Sequence, residues 1–288
     1  KSSRTGNWIK AGITNVENSS FVTIGERETV NQNGWQYKNI LTIESDCIES
    51  SLSNFPVLIR LDTSVFNYSL ADSTGKDIRF NQSGVELDHE IETWNTEGAS
   101  YLWVKVPSIS SGSDTSIGMY YGNPNATDGQ DPPGLWSGYS MVQHLQETSS
   151  TAVDSTLNGN HGTYTGSSQE INGIINGGFG FYQGETMTIN HDESIDLGSG
   201  EFTIALWADI PTSNNVSLLS KWNNSVGLGY KLLINEESEL VLMIDDNDDN
   251  ATKNSLLDIV DLAESMYLSG ERISAYNKLL ELRVKLNP

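Results

Sequence analysis

Asp88, Glu90 and Glu92 alternate with His89 and Ile91 in the stretch GVELDHEIETWN, residues 84–95. A strand here would place the three carboxylates on one face, about 7 Å apart along it. Carboxylates so arranged can do three kinds of work. They can act as acid, base or nucleophile in glycoside hydrolysis, or form an oxygen ladder for a cation, with Asp88, Glu90 and Glu92 as ligands. They can also simply keep the wet face of a sheet soluble, and that plain reading is the preferred one.

Other residues with chemical potential are more scattered. His144, His161 and His191 lie far apart with no HExxH-type helix, which argues against zinc. No G-x-S-x-G elbow occurs, and SGYSM does not supply one. The loop VDSTLNGNHG places Asp154, Asn158 and Asn160 at alternating oxygen-bearing positions, a donor set suited to calcium. Its competing reading is a hydrated Asx-turn loop. Asp245, Asp246, Asp248 and Asp249 lack the glycine and distal glutamate of a calcium-binding helix-loop-helix and read as a solvated acidic linker.

These residues sit in a chain of 288 residues with net charge -22 and a sequence pI near 4.3. No Lys/Arg run offsets the negative charge, so nucleic acid is excluded as a partner. A single cysteine, Cys47, excludes an internal disulfide framework and cysteine-rich zinc sites. No stretch is long and apolar enough to span a membrane. No signal peptide is recognisable, and the opening KSSRTGNW reads as the middle of a longer chain. Asn-x-Ser/Thr sequons begin at Asn18, Asn67, Asn81, Asn125, Asn215, Asn223 and Asn250. They suit a glycosylated extracellular surface, although an Asn- and Ser-rich chain also produces them by chance.

The elements that must carry these residues are mainly strands. WQYKNILTIE, FPVLIRLD, DIRF, YLWVKVP and SIGMYYG are short, β-rich and separated by Asp-, Ser- and Gly-rich turns, as in an antiparallel sandwich. NPNATDGQDPPG, residues 123–134, reads as a linker. Strands resume from Leu135 to about Ile244. From Lys253 the period becomes helical: Leu256, Val260, Ala263 and Tyr267, then Ile273, Tyr276, Leu280 and Val284, predict a helical hairpin.

The stretches WQYKNILTI, FPVLIRLD, DIRF, LDHEIETWN and LWVKVPSISSGSDTSIGMYYGNPNAT, in that order, resemble the family of domains of unknown function numbered 2341, found in bacterial and archaeal surface proteins. MVQHLQE, VDSTLNGNHGT, GGFGF and FTIALWADI resemble the concanavalin A-like, laminin-G-like sandwich that often follows it. This resemblance implies a structural calcium at the Asp154 loop or Glu147. Certain jelly-roll glucanases carry Glu-x-Asp-x-Glu; here the order is Asp-x-Glu-x-Glu, and it lies outside the laminin-G-like half. RTGNWIKAGI and SFVTIG resemble the closing helix turn and final strand of a laminin-G-like sandwich.

The expected architecture is therefore two antiparallel, jelly-roll-like β-sandwich domains with a short C-terminal α-helical hairpin. Residues 1–30 are the closing segment of a laminin-G-like sandwich and 31–124 the family-2341 sandwich. Residues 125–134 are the linker, 135–250 an incomplete laminin-G-like sandwich, and 251–288 the hairpin. A sandwich closed at the front and open at the back predicts head-to-tail completion between copies or neighbouring repeats, through Trp8, Ile9, Phe21, Val22 and Ile24. The expected role is a non-catalytic structural or adhesive module at the cell surface that assembles into a filament or array. The alternative is a carbohydrate-binding module, with glycans stacked on Trp207, Trp222 and Tyr230; a glycoside hydrolase is the third reading.

Overall fold

The computed structural model describes residues 4–166, 173–182, 184–196, 202–208, 216–223, 228–236, 240–245, 257–258 and 278–284. The fold is mainly β, built from several antiparallel sheets. The chain divides into two compact units, Ser3–Asp196 and Leu197–Pro288.

The first unit opens with α1 (Gly6–Glu17), β1 (Val22–Gln32), β2 (Trp35–Ile43), β3 (Leu52–Leu61), β4 (Arg79–Gln82), β5 (Val85–Leu87), β6 (His89–Thr93), β7 (Ser100–Ile109) and β8 (Thr115–Tyr121). A short helix, α2 (Pro132–Leu135), follows, then β9 (Thr151–Ala152), β10 (Gly162–Tyr164) and β11 (Met187–Ile189). One sheet runs β1-β2-β8-β4-β5 and a second β3-β7-β6; β11-β10-β9 form a third.

Alternation builds the core. In β7, Ser100, Leu102, Val104 and Val106 are buried while Tyr101, Trp103 and Lys105 take the other face. Leu41, Ile43, Ile117, Met119 and Phe80 of the larger sheet join Val57, Ile59, Leu102 and Val104 of the smaller one in one hydrophobic cluster. The β1–β2 hairpin turns on Asn33-Gly34, both at positive φ (52° and 90°), the pair that a two-residue hairpin turn of the primed type favours.

The smaller sheet has two edge strands, and each is bonded in part by a neighbouring segment. On β3, the buried amide of Asn15 from α1 accepts from Leu58 N (2.7 Å) and donates to Leu58 O (3.1 Å). On β6, Asp131 N donates to His89 O (3.0 Å) and Ile91 N donates to Gln130 Oε1 (2.6 Å). Groups bonded in this way are not open to a ladder with another strand.

These contacts correct two expectations. Residues 125–134 are not a free linker but a strap along β6, held also by Arg79 Nη2 donating to Thr127 O. The helix and strand expected near the N-terminus do form, yet they complete the first unit of their own chain. Ile9 and Phe21 are fully buried, and Trp8 meets Phe55 edge-on at 5.0 Å. Val22 and Ile24 pair with Ile43 and Leu41 of β2. The apolar face of α1 fits the end of the core beside Phe55, and within the single chain these residues pack on their own first unit.

The second unit contains β12 (Phe202–Ala208), β13 (Val216–Asn223), β14 (Leu228–Ile234), β15 (Leu240–Asp245), β16 (Leu257–Asp258) and β17 (Lys278–Val284). They form two antiparallel sheets, β12-β17-β16 and β13-β14-β15. Phe202 and Leu232 are buried, with Ile204, Leu206, Leu218, Leu219 and Leu242 against them. The expected hairpin over 251–288 is corrected where it is described: Lys278–Val284 is a strand in register with Ala208–Phe202. Leu280, Leu282 and Val284 also fit a period of two, and a short apolar run is ambiguous until a partner strand selects one period. The remainder of 251–288 lies outside the described residues.

Candidate functional site at the acidic strand

In β6, the alternation sends His89 and Ile91 to the core and Glu90 and Glu92 to the opposite face. His89 is 1% exposed and meets Phe80 edge-on at 5.4 Å. Burial, with Arg79 nearby, pushes its imidazole down to about 4, so it is a neutral core histidine. Across the strand pair, Glu90 faces Trp103 of β7. The three carboxylates do not act as one ladder: Asp88 lies at the rim, half-exposed, 3.7 Å from Lys105.

The wet face expected around Glu90 and Glu92 is in fact covered. The chain after α2 folds back over it and inserts His144 between the two carboxylates. His144 Nε2 lies 3.1 Å from Glu90 Oε2, and Nδ1 lies 3.2 Å from Glu92 Oε2. Trp136 Nε1 donates to Glu90 Oε2 (2.5 Å) and Trp103 Nε1 to Glu92 Oε2 (2.6 Å). Ser155 Oγ donates to Glu90 Oε1 at 2.6 Å. The indoles meet edge-on at 5.5 Å, and the His144 ring lies 6.5 Å and 6.0 Å from Trp103 and Trp136. Gln146 extends the seam, donating to Glu92 O and accepting from Thr93 Oγ1.

The electrostatics follow from this geometry. Burial alone would discharge the imidazole. Hydrogen bonds to Glu90 and Glu92, with their negative charge, more than offset that and push His144 up to about 10. Burial alone would raise Glu90, but the hydrogen bond and charge of His144, with the Ser155 and Trp136 donors, bring it below its ordinary value. The cluster is thus an imidazolium held between two carboxylates under two indoles. Sequence reasoning missed the pairing of His144 with Glu90, because 54 positions separate them. The available signal was a lone histidine in the otherwise uncharged stretch MVQHLQ.

The Asp154 loop is tightly self-satisfied. Asp154 Oδ1 accepts from Val142 N and Thr156 N; Oδ2 accepts from Thr156 Oγ1 and Asn160 N. A carboxylate has about four lone-pair positions, and all are engaged. Asn158 and Asn160 both turn Nδ2 toward Ser140 O, while Glu147 Oε1 accepts from Val153 N. So arranged, the Asp154 carboxylate serves an Asx-turn loop, while Glu147 Oε2 is buried with no hydrogen-bond partner. Among the described residues no group of three or more His, Cys, Asp or Glu could hold a metal ion. Asp154→Ala is expected to cost about 3 kcal/mol, by stranding buried N–H donors, and Asp154→Asn less, measured by denaturant unfolding.

The remaining candidates are dispersed. His161 Nδ1 accepts from Asp154 N, and exposed His191 lies 3.8 Å from Asp196. Tyr230 is buried, Trp207 is half-buried, and the Trp222 side chain is outside the described set. Asp245 ends β15; Asp246, Asp248 and Asp249 lie outside the described residues. Asn18, Asn67 and Asn125 are exposed, and Asn81 is half-buried in β4. Asn223 ends β13; Asn215 and Asn250 lie outside the described residues.

Residues 74–160 match the family model described as a domain of unknown function, DUF2341. No curated protein and no solved structure matches the chain. The DUF2341 match contains Glu90, Glu92, Trp103, Trp136, His144 and Ser155, so the buried cluster is internal to it. It also crosses the boundary expected at 125–134. Residues 135–160, expected to open a laminin-G-like sandwich, lie within the match and within the first unit. No helix among the described residues is long and apolar enough to cross a membrane.

Proposed function

We propose that the chain is a non-catalytic structural or adhesive module of an extracellular, cell-surface protein. The observation that carries this reading is the Glu90–His144–Glu92 cluster. Its carboxylates and imidazolium satisfy one another and two indoles. The acidic strand therefore fastens one layer of the module to the next, which supports a structural use of these carboxylates. The acidic surface and the exposed sequons at Asn67 and Asn125 support the extracellular placement.

The test has two parts. Wild type and Glu90→Gln are expected to release equal, background amounts of reducing ends from a polysaccharide panel. Release by the wild type that Glu90→Gln abolishes overturns the non-catalytic reading. Labelling of intact source cells with a membrane-impermeant amine reagent is expected to mark the protein; labelling only after lysis overturns its placement.

A further inference from the structure

Resting on the extracellular reading, we infer that Asn67 is an N-glycosylation site whose first sugars lie in the cleft beside it. The sequon Asn67-Tyr68-Ser69 is anchored at its middle residue. Tyr68 is buried and its hydroxyl bonds to Leu61 O (3.1 Å) and Ser100 Oγ (2.8 Å). Asn67 and Ser69 on either side are exposed. Asn67 Oδ1 accepts from both Ser69 N (3.1 Å) and Ser69 Oγ (2.8 Å). The amide is thereby oriented, and Nδ2 is left without a partner among the described residues.

Two of the other described sequons are less well disposed. Asn18 Nδ2 is directed at Cys47 Sγ (3.5 Å) at the end of α1. Asn81 lies within the β4 ladder, facing Glu86 and Gly118, with Ser83 at positive φ. Asn125 is exposed on a loop and serves as the comparison site.

What sets Asn67 apart is its surroundings. It and Ser69 border an open cleft of about 650 Å³ between the loop at 63–69 and the β1 bulge near Gly25. Glu26, Arg27, Thr63, Ser64 and Thr96 line the walls, a set of hydrogen-bonding groups with one charge of each sign. The floor is fixed by Asn39, which accepts from Tyr121 Oη and donates to Gly25 O, both at 2.7 Å. Val65 on the rim is 45% exposed, an apolar surface that a sugar ring would cover. Hydroxyl-rich chains suit such a lining.

The donor is a lipid-phosphate-linked oligosaccharide. The anomeric carbon leaves its phosphate oxygen and bonds to Nδ2, which loses one proton, and the lipid phosphate departs.

Peptide mapping of protein recovered from its source cells tests the site. We expect glycan at Asn67 and none at Asn18 or Asn81. Asn67 bare while Asn125 is occupied overturns the assignment and leaves surface placement standing. A protein bare at every sequon overturns it also, with placement decided separately by surface labelling. For the seating, a peptide-N-glycosidase should release the Asn67 glycan from folded protein roughly tenfold more slowly than that at Asn125, the ratio given by about 1.4 kcal/mol of contacts. Arg27→Ala should narrow that difference, and denaturation should abolish it. Equal rates on the folded wild type overturn the seating.

Discussion

His144→Ala is expected to destabilise the first unit by about 3–5 kcal/mol, the cost of removing one partner from a buried ion pair. Two buried carboxylates would be left with only indole and hydroxyl donors and no cation between them. Such a loss is a large part of the 5–15 kcal/mol that holds a typical domain folded. Denaturant midpoints give the first readout, and a thermodynamic cycle gives the second. Glu90→Gln with Glu92→Gln in the His144→Ala background should recover part of the loss, because the uncompensated charge is then gone. A variant as stable as the wild type would mean that the imidazolium is not structural.

The same cluster dictates the pH profile. His144 sits at about 10 when folded, above its ordinary 6.5. Its contribution is therefore complete below about 6.5 and is lost as pH rises toward 10. His89 is shifted the opposite way, to about 4, so its contribution is complete above 6.5 and is lost as pH falls through 4. Glu90, held below its ordinary 4.5, adds to the acid limb at still lower pH. Stability should peak near pH 6.5, with each histidine contributing a slope of at most about 1.4 kcal/mol per pH unit. In His144→Ala the alkaline limb should flatten while the acid limb persists. An unchanged alkaline limb would remove His144 as its cause.

How legible this was in the sequence depends on the range of each interaction. The strands around Leu41, Ile59, Val104 and Met119 follow from period-two alternation and turn residues, which are local. The same alternation correctly separates His89 and Ile91 from Glu90 and Glu92. What covers the outer face is not local. His144 reaches Glu90 only because the strap at 125–134 turns the chain back over β6, and no motif spacing encodes that return. The strap itself read as a linker because Pro, Gly and Asp mark irregular backbone equally whether it floats or is pinned. Its hydrogen bonds to His89 and Ile91 appear only in three dimensions. At Asp154 the residue types suit either a cation or an Asx-turn, and only the folded chain shows that Val142, Thr156 and Asn160 aim N–H groups at its carboxylate. At Lys278–Val284 two periods fit one short run, and pairing with β12 decides.

Deleting residues 1–32 should prevent the first unit from folding. The deletion removes α1 and β1 together, and with them three kinds of support. Phe21 and Ile9 are fully buried in the core beside Phe55, and losing a buried Phe or Ile side chain costs about 2–5 kcal/mol each. Asn15 no longer closes the edge of β3 at Leu58. The β2 ladder from Trp35 to Ile43 loses its outer partner and becomes an unprotected edge. The summed loss matches or exceeds a typical domain's stability, so the shortened protein is expected to aggregate or to show no cooperative transition. Asn15→Ala provides a graded arm, expected to cost about 2 kcal/mol for a buried amide that makes two hydrogen bonds. If α1 and β1 act in cis, the full-length protein should sediment as a monomer at low concentration with both edges protected from amide exchange. A shortened protein that remains soluble, monomeric and cooperatively folded would show that the core closes without them, and would return Ile9, Phe21, Val22 and Ile24 to the surface as candidates for contact between copies.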